Sequence, residues 1–252
     1  MKASRRAAGS GPAAVHRATL RTAAVALASA LLAVCAMLAV VTVRVARRVV
    51  RPAPRAVDTR IVDVDVAAQT ITLGRTPDTV LPGRYGLFTA GSTDYVKVGS
   101  VLSSDERTVK RKLLTQVDGD MQLSAEAAFS GWYFQRPEEL HLPFTTEQIP
   151  TAVGPCPAWL FPGAETASDA ADTWAIQIHG RGANRSECLR AVPVFQGLGV
   201  TSLVVSYRND GDAPRTRNGS YSLGATEWRD VDAAIGWAIR HGARRIILMG
   251  WS

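Results

Sequence analysis

Twenty-two consecutive residues, Thr22 to Val43, carry no charge, no proline and no glycine. The run is Ala, Val and Leu, broken only by Thr22, Ser29, Cys35, Met37 and Thr42. At 1.5 Å rise per residue such a helix spans a hydrocarbon core of about 30 Å. A buried core helix would be shorter and would keep a polar stripe, and this run has none. A cleaved signal peptide would have a shorter apolar stretch. Its small-residue triplet, Ala28-Ser29-Ala30, is followed by Leu31-Leu32, which makes a poor cleavage site. The expectation is an uncleaved single-pass anchor over 22–43, preceded by a basic tail over 1–21.

The charge follows the anchor. The whole chain of 252 residues holds 29 Lys+Arg against 22 Asp+Glu, a formal +7. Residues 1–55 hold ten of the basic groups and no acid, so residues 56–252 hold 19 basic against 22 acidic. The basicity is therefore local to the span, and no basic patch with interleaved aromatics remains to suggest nucleic acid as a partner. Membrane lipid is the partner expected for the N-terminal helix, its arginines reaching to the head groups. Five basic residues flank each end, so charge does not fix the orientation. Two features lean toward an extracytoplasmic C-terminal region. A single N-terminal span acts most simply as a start-transfer signal, and Cys156 and Cys188 could pair in an oxidising compartment. Two unpaired small apolar side chains are nearly as good a reading of the cysteines.

After a stiff linker over 51–57 (Arg51-Pro52-Ala53-Pro54), the pattern turns strand-like from Asp58 to about Leu114. Ile61-Val62 with Val64 and Val66, then 70–73, 85–88 and 95–98, are separated by turn signals at Thr76-Pro77-Asp78, Pro82-Gly83 and Ala90-Gly91-Ser92. A small antiparallel β unit is expected, within a β-rich accessory region over 58–150. The aromatics of 115–155 read as interdomain packing.

From Ala158 the order is strand, helix, strand, helix, strand, which predicts a parallel sheet. The strands are 159–161, 174–178, 200–207 and 245–249, the last expected to be fully buried. One helix starts near Ser186 and is kinked or split by Pro193. A second has Thr226 as N-cap, apolar positions Trp228, Val231, Ile235, Ala238 and Ile239, and Gly242 as its stop. Two strands end in motifs that carry chemistry, His179-Gly180-Arg181-Gly182 and Gly250-Trp251-Ser252.

On these motifs, with the stretch Gly224 to Val231 leading into the helix before the second of them, residues 158–252 resemble the N-terminal half of an α/β-hydrolase domain of the esterase and serine-peptidase-like kind, so such a domain is expected over 151–252. The fold class expected is therefore an N-terminal transmembrane helix and a small antiparallel β unit, followed, as the resemblance implies, by the first half of a parallel α/β-hydrolase sheet. Gly250-Trp251-Ser252 matches the first three positions of the G-x-S-x-G nucleophile elbow, where a sharp turn lifts the serine oxygen clear of the sheet. The resemblance makes Ser252 the catalytic nucleophile and the Arg181 N–H an oxyanion donor. Gly180 lets the chain come close there, and His179 braces the loop rather than acting as the base. Asp210 and Asp212 read as solvated loop residues. The substrate implied is a small-molecule or peptide acyl compound, an ester, thioester or peptide-type bond opened through an acyl-enzyme, with no cofactor and no metal, since no Cys/His set has ligand spacing. The rest of the elbow, the triad acid and the triad histidine do not occur in the sequence. A fragment of a longer protein, inactive alone, is therefore expected. The alternative is a hydrolase-like fold without catalysis, serving as a membrane-tethered binding module through 58–114.

Overall fold

A computed structural model describes residues 12–51, 57–89, 95–118, 123–164 and 170–251, with side chains from residue 20 onward. The basic tail before Pro12, the linker residues 52–56, the expected turn at Ala90-Gly91-Ser92 and Ser252 lie outside the described residues. The chain divides into two units, Met1–Val50 and Arg51–Ser252.

The first unit is one helix, α1 (Pro12–Val50). Its apolar part, Leu20–Val50, is long and apolar enough to cross a membrane, and none of its most apolar window is buried.

The second unit begins with a closed six-stranded antiparallel barrel. Its strands are β1 (Thr59–Asp65), β2 (Thr70–Gly74), β3 (Tyr85–Thr89), β4 (Tyr95–Ser104), β5 (Thr108–Leu113) and β6 (Glu126–Ser130), in the order β1-β2-β5-β4-β3-β6. The four strands expected from the alternation are all there. The two that were not expected, β5 and β6, are the ones that close it, with Thr59 opposite Ala127. Closure removes both sheet edges. Ile71, Leu73, Leu87, Val96, Val98 and Leu113 fill the interior.

Position 111 breaks the alternation rule. On β5, Val109, Arg111 and Leu113 all face inward, and Arg111 is fully buried. Its guanidinium donates to the carbonyls of Gly99 (3.0 and 2.6 Å), Thr79 (2.8 Å), Leu81 (2.9 Å) and Gly83 (2.9 Å). The rings of Tyr85 and Phe129 flank it at 5.2 and 5.3 Å. Gly99 lies where the β4–β5 register slips between Val98 and Val101, so its carbonyl is out of the ladder and available. Burial holds the guanidinium pKa below its ordinary value, and a ring of carbonyls replaces the acid that usually accompanies a buried charge.

A second sheet follows, β7 (Thr145–Thr151), β8 (Gly154–Phe161), β9 (Thr173–Ile178), β10 (Thr201–Val205) and β11 (Arg245–Gly250), in the order β11-β9-β10-β8-β7. It is mixed rather than parallel. β9, β10 and β11 are parallel, while β8 is antiparallel to β10 and β7 to β8. β7 was hidden in the transitional stretch because Gln148 and Pro150 break its pattern, and the boundary expected at 150/151 runs through it. Side chains alternate between two cores. Ala158, Trp174, Ile176, Leu203 and Val205 face α3 (Trp228–Arg240), whereas Trp159, Phe161 and Val204 face a 3₁₀ turn (Arg185–Ala191) that continues as α2 (Val192–Gly197). Pro193 opens α2, where its missing N–H costs nothing, so the expected helix is split there. Cys156 shares the face of Ala158, and Cys188 packs in the opposite core, so the two free thiols cannot pair.

Three expectations change on α3 and β11. Glu227, not Thr226, is the N-cap, and the Thr226 hydroxyl instead bonds Ser222 Oγ at 2.9 Å. The buried face of α3 is Asp230, Ala234, Trp237 and Ala238, while Trp228 and Ile239 are each 56% exposed. Ala238 keeps the expected face and Ile235 packs against the same core, while Asp230 joins the buried face by pairing with Arg208. β11 is an edge strand paired with β9 alone among the described residues, and Ile247 and Leu248 are exposed rather than buried.

The barrel is fixed to this sheet. Lys97 pairs with Glu139, Arg190 donates to the Arg84 carbonyl, and Ser186 Oγ donates to the Gln135 carbonyl at 2.6 Å. Phe134 and Phe144 pack at the second core, as interdomain packing requires, but Phe129 belongs to the barrel interior.

Candidate active site

The order of the strands selects the site. From β9 the chain crosses to β10 on the α2 face, then returns past β9 to β11 on the α3 face. The connections diverge at β9, and the crevice beyond the C-terminal ends of strands at such a point is where open α/β sheets bind ligands. His179 follows β9, Ser206 to Asp210 follow β10, and Trp251 follows β11.

The two motifs, some seventy residues apart in sequence, meet there. Gly250 is in register with Ile178, and Trp251 N–H donates to the Ile178 carbonyl at 2.9 Å. Gly250-Trp251 therefore runs alongside the entry to the His179–Gly182 loop. Ser252 itself lies outside the described residues.

The loop is held at nearly every residue. Gly180 N–H donates to Glu187 Oε2 (2.7 Å), so that donor is already engaged within the protein. Tyr207 hydroxyl donates to the His179 carbonyl (3.1 Å), and its ring stacks on the His179 imidazole with centroids 4.2 Å apart. His179 Nδ1 lies 3.0 Å from the Gly180 carbonyl, an acceptor, so Nδ1 carries the proton and Nε2 is left as a buried lone pair with no partner among the described residues. Gly182 has φ +78°, a left-handed conformation that a side chain would strain. Its N–H reaches the Asp210 carboxylate. Arg181 and His179 line a cavity of about 410 Å³ together with Ile178, Tyr207, Tyr221 and Glu227.

The titrations follow from burial. His179, 3% exposed, has its pKa lowered to about 4 by desolvation and further by the nearby Arg185 charge, against the bond to Gly180. At neutral pH it is uncharged, with its Nδ1 proton given to the Gly180 carbonyl. Asp210 is buried too, not a solvated loop residue. Desolvation raises its pKa to about 6, opposed by hydrogen bonds from Tyr221, Tyr207 and Gly182. Its Oδ2 stands 4.0 Å from His179 Nδ1. Asp212 is not idle either, since it forms a bidentate pair with Arg185 at 2.6 and 3.0 Å. Below the crevice, Arg208 and Asp230 make a buried pair at 2.7 and 2.6 Å, and Arg208 N–H adds a third bond to the same carboxylate at 3.0 Å. Glu227 accepts the N–H groups of Ser222 (2.6 Å) and Gly224 (2.9 Å) and shapes the turn before α3.

Tyr207, Tyr221 and Glu187 are site residues that the sequence did not announce, because they act through bonds to the loop and share no spacing with it. His141 ends the 3₁₀ turn of 137–140, and His241 Nδ1 bonds the Trp237 carbonyl at 2.7 Å, so neither belongs to the crevice. Among the described residues no group of His, Cys, Asp and Glu could hold a metal ion.

Residues 60–130, the barrel, match a family described as a domain of unknown function, DUF8805. No curated protein is significantly similar in sequence to this chain. Partial structural likenesses include an esterase of Pyrococcus furiosus (19% identity, 46% of this chain and 43% of that one, TM-score 0.38). Others are an α/β serine hydrolase without a lid from Xanthomonas campestris (18% identity, 43% and 50%, TM-score 0.38) and a puromycin-hydrolysing peptidase of Mycobacterium tuberculosis (16% identity, 73% and 26%, TM-score 0.37). The chain spans half the length of these proteins or less.

Proposed function

We propose that this protein is a membrane-anchored serine hydrolase that opens an ester, thioester or peptide-type bond through an acyl-enzyme on Ser252. The observation that carries the reading is the meeting of Gly250-Trp251 with the His179–Gly182 loop at the C-terminal edge of the sheet. Ser252 is the next residue in the sequence.

In this reading Ser252 Oγ attacks the acyl carbon, its proton passes to a histidine base, and the carbonyl electrons move onto the oxygen. The Arg181 N–H supports that oxyanion, and one such donor typically lowers the barrier by about 3 kcal/mol. Collapse expels the leaving group with the proton, and water then hydrolyses the acyl-enzyme. The base is none of His141, His179 and His241. What the described residues contribute is a fixed donor loop, clamped by Glu187, Tyr207 and Asp210 before substrate arrives, so no reorganisation is needed during the reaction.

Helix α1 is proposed to be the anchor, with its flanking arginines at anionic head groups. The cysteines lend nothing to the orientation, because they cannot pair. An extracytoplasmic catalytic region rests on the start-transfer behaviour of a single N-terminal span. One experiment tests both points. Intact cells carrying the native protein are treated with a membrane-impermeant fluorophosphonate, and labelling is expected in the wild type and lost in Ser252→Ala. No labelling even after lysis refutes the nucleophile, and labelling only after lysis refutes the orientation.

A further inference from the structure

A second cavity, about 330 Å³, opens at the same sheet edge on the α2 side and is lined by Trp159, Arg185, Gly211 and Asp212 among others. Arg185 is nearly buried, its side chain 11% exposed, and its guanidinium lies 4.2 Å over the Trp159 ring. Arginine has five N–H donors. Nη1 uses its two on Ser206 Oγ (2.9 Å) and Asp212 Oδ1 (2.6 Å), and Nη2 uses one on Asp212 Oδ2 (3.0 Å). Nε is buried with no partner among the described residues. The guanidinium is thus built into the protein by stacking and by Ser206, with its donors only partly satisfied.

Its acid partner is held differently. The Asp212 side chain is 62% exposed and stands on a turn made by Gly211, whose φ is +54°. A cation fixed in a cavity and capped by a carboxylate that reaches in from solvent is an arrangement in which the cap can be exchanged. A ligand carboxylate presents the same two oxygens in the same plane, so it can take the same fork. A single guanidinium with Asp212 at its rim suits a monoanion better than a dianionic phosphate.

We propose that this cavity is a carboxylate-binding site, in which the carboxylate of a small molecule or peptide replaces Asp212 on Arg185 against the Trp159 face. Because Ser206 follows β10 at the edge that also carries His179, the bound group lies beside the candidate active site. The proposal does not depend on Ser252 being a nucleophile.

The test is direct binding of ¹³C-carboxyl acetate to the full chain in detergent micelles, followed by NMR titration. Wild type should bind saturably, and Asp212→Asn should tighten binding about fivefold, the factor for losing an internal competitor worth an exposed ion pair. Arg185→Gln should abolish binding. Arg185→Lys, which keeps the charge without the fork, should weaken it, and this variant keeps the test decisive if Arg185→Gln does not fold. Unchanged affinity in Asp212→Asn, full affinity in Arg185→Lys, binding that survives Arg185→Gln, or tighter binding of inorganic phosphate than of acetate would each overturn the assignment.

Discussion

The sharpest stability test lies in the pair under the crevice. Arg208 and Asp230 are 6% and 1% exposed at the side chain, and Asp230 accepts three hydrogen bonds, two from the guanidinium and one from the Arg208 backbone. Replacing Asp230 by Leu removes the anion and leaves a buried cation and a buried N–H without acceptors. Breaking a buried pair from one side costs about 3–5 kcal/mol, a large share of the ~5–15 kcal/mol that holds a typical domain folded. The double variant Arg208→Met/Asp230→Leu removes both charges and leaves only the N–H unsatisfied. Its cost should fall to about 1–3 kcal/mol, the penalty for one orphaned polar group. The exposed pair Arg245–Asp172, 3.3 Å apart with side chains 61% and 43% exposed, is the internal control, and Asp172→Ala should cost at most about 1 kcal/mol. The assay is urea denaturation of the full chain in detergent, followed by tryptophan fluorescence. Trp174 and Trp237, with ring centroids 6.2 Å apart in the core under α3, report on this sheet. If Asp230→Leu costs less than about 1 kcal/mol, or if the double variant is as unstable as the single, the pair is not holding α3 against β10 and the reasoning is wrong.

Two further outcomes follow from the structure. In Arg111→Met the carbonyls of Thr79, Leu81, Gly83 and Gly99 lose their donor, so amide exchange across 78–83 should rise at least about tenfold while α3 is unaffected; Arg111→Lys should not rescue it, since one ammonium cannot serve four carbonyls. Buried Asp210 and His179 act oppositely on stability. Between about pH 4 and 6.5 folding releases the His179 proton, which makes stability rise with pH, while between 3.8 and about 6 it takes one up on Asp210, which makes stability fall. The two slopes nearly cancel in the wild type. In Asp210→Asn the His179 slope should stand alone, at about 1.4 kcal/mol per pH unit from pH 4 to 6.5, and a flat profile there would refute the burial of a neutral His179.

The sequence was most legible where one residue type repeats. Twenty-two residues without a charge determine an apolar helix whatever surrounds it, and alternation located β1 to β4 because each alternates against a single core. The two strand-end motifs were legible because glycine runs and strand ends are local. Legibility failed wherever a residue's role depended on a distant partner. Arg111 looks like a surface residue on a strand until the bulge at Gly99 and the turn at 79–83 supply its carbonyls. Asp210 and Asp212 look alike in a loop, yet one is buried under Tyr221 and the other is paired with Arg185 in solvent.

By itself, then, the sequence determined an apolar N-terminal helix, a β unit and an α/β region, and named the loop and the turn that could form an active site. Tertiary structure alone decided that the β unit closes into a barrel, that the second sheet is mixed, and that Asp230 joins the buried face of α3. It also decided that the two cysteines lie on opposite faces and that His179 is held neutral. The physical reason is common to all of these. Strand pairing, the inward turn of a charge and a pKa depend on which groups are brought within a few ångströms, and periodicity along one segment carries no information about the segment it will meet.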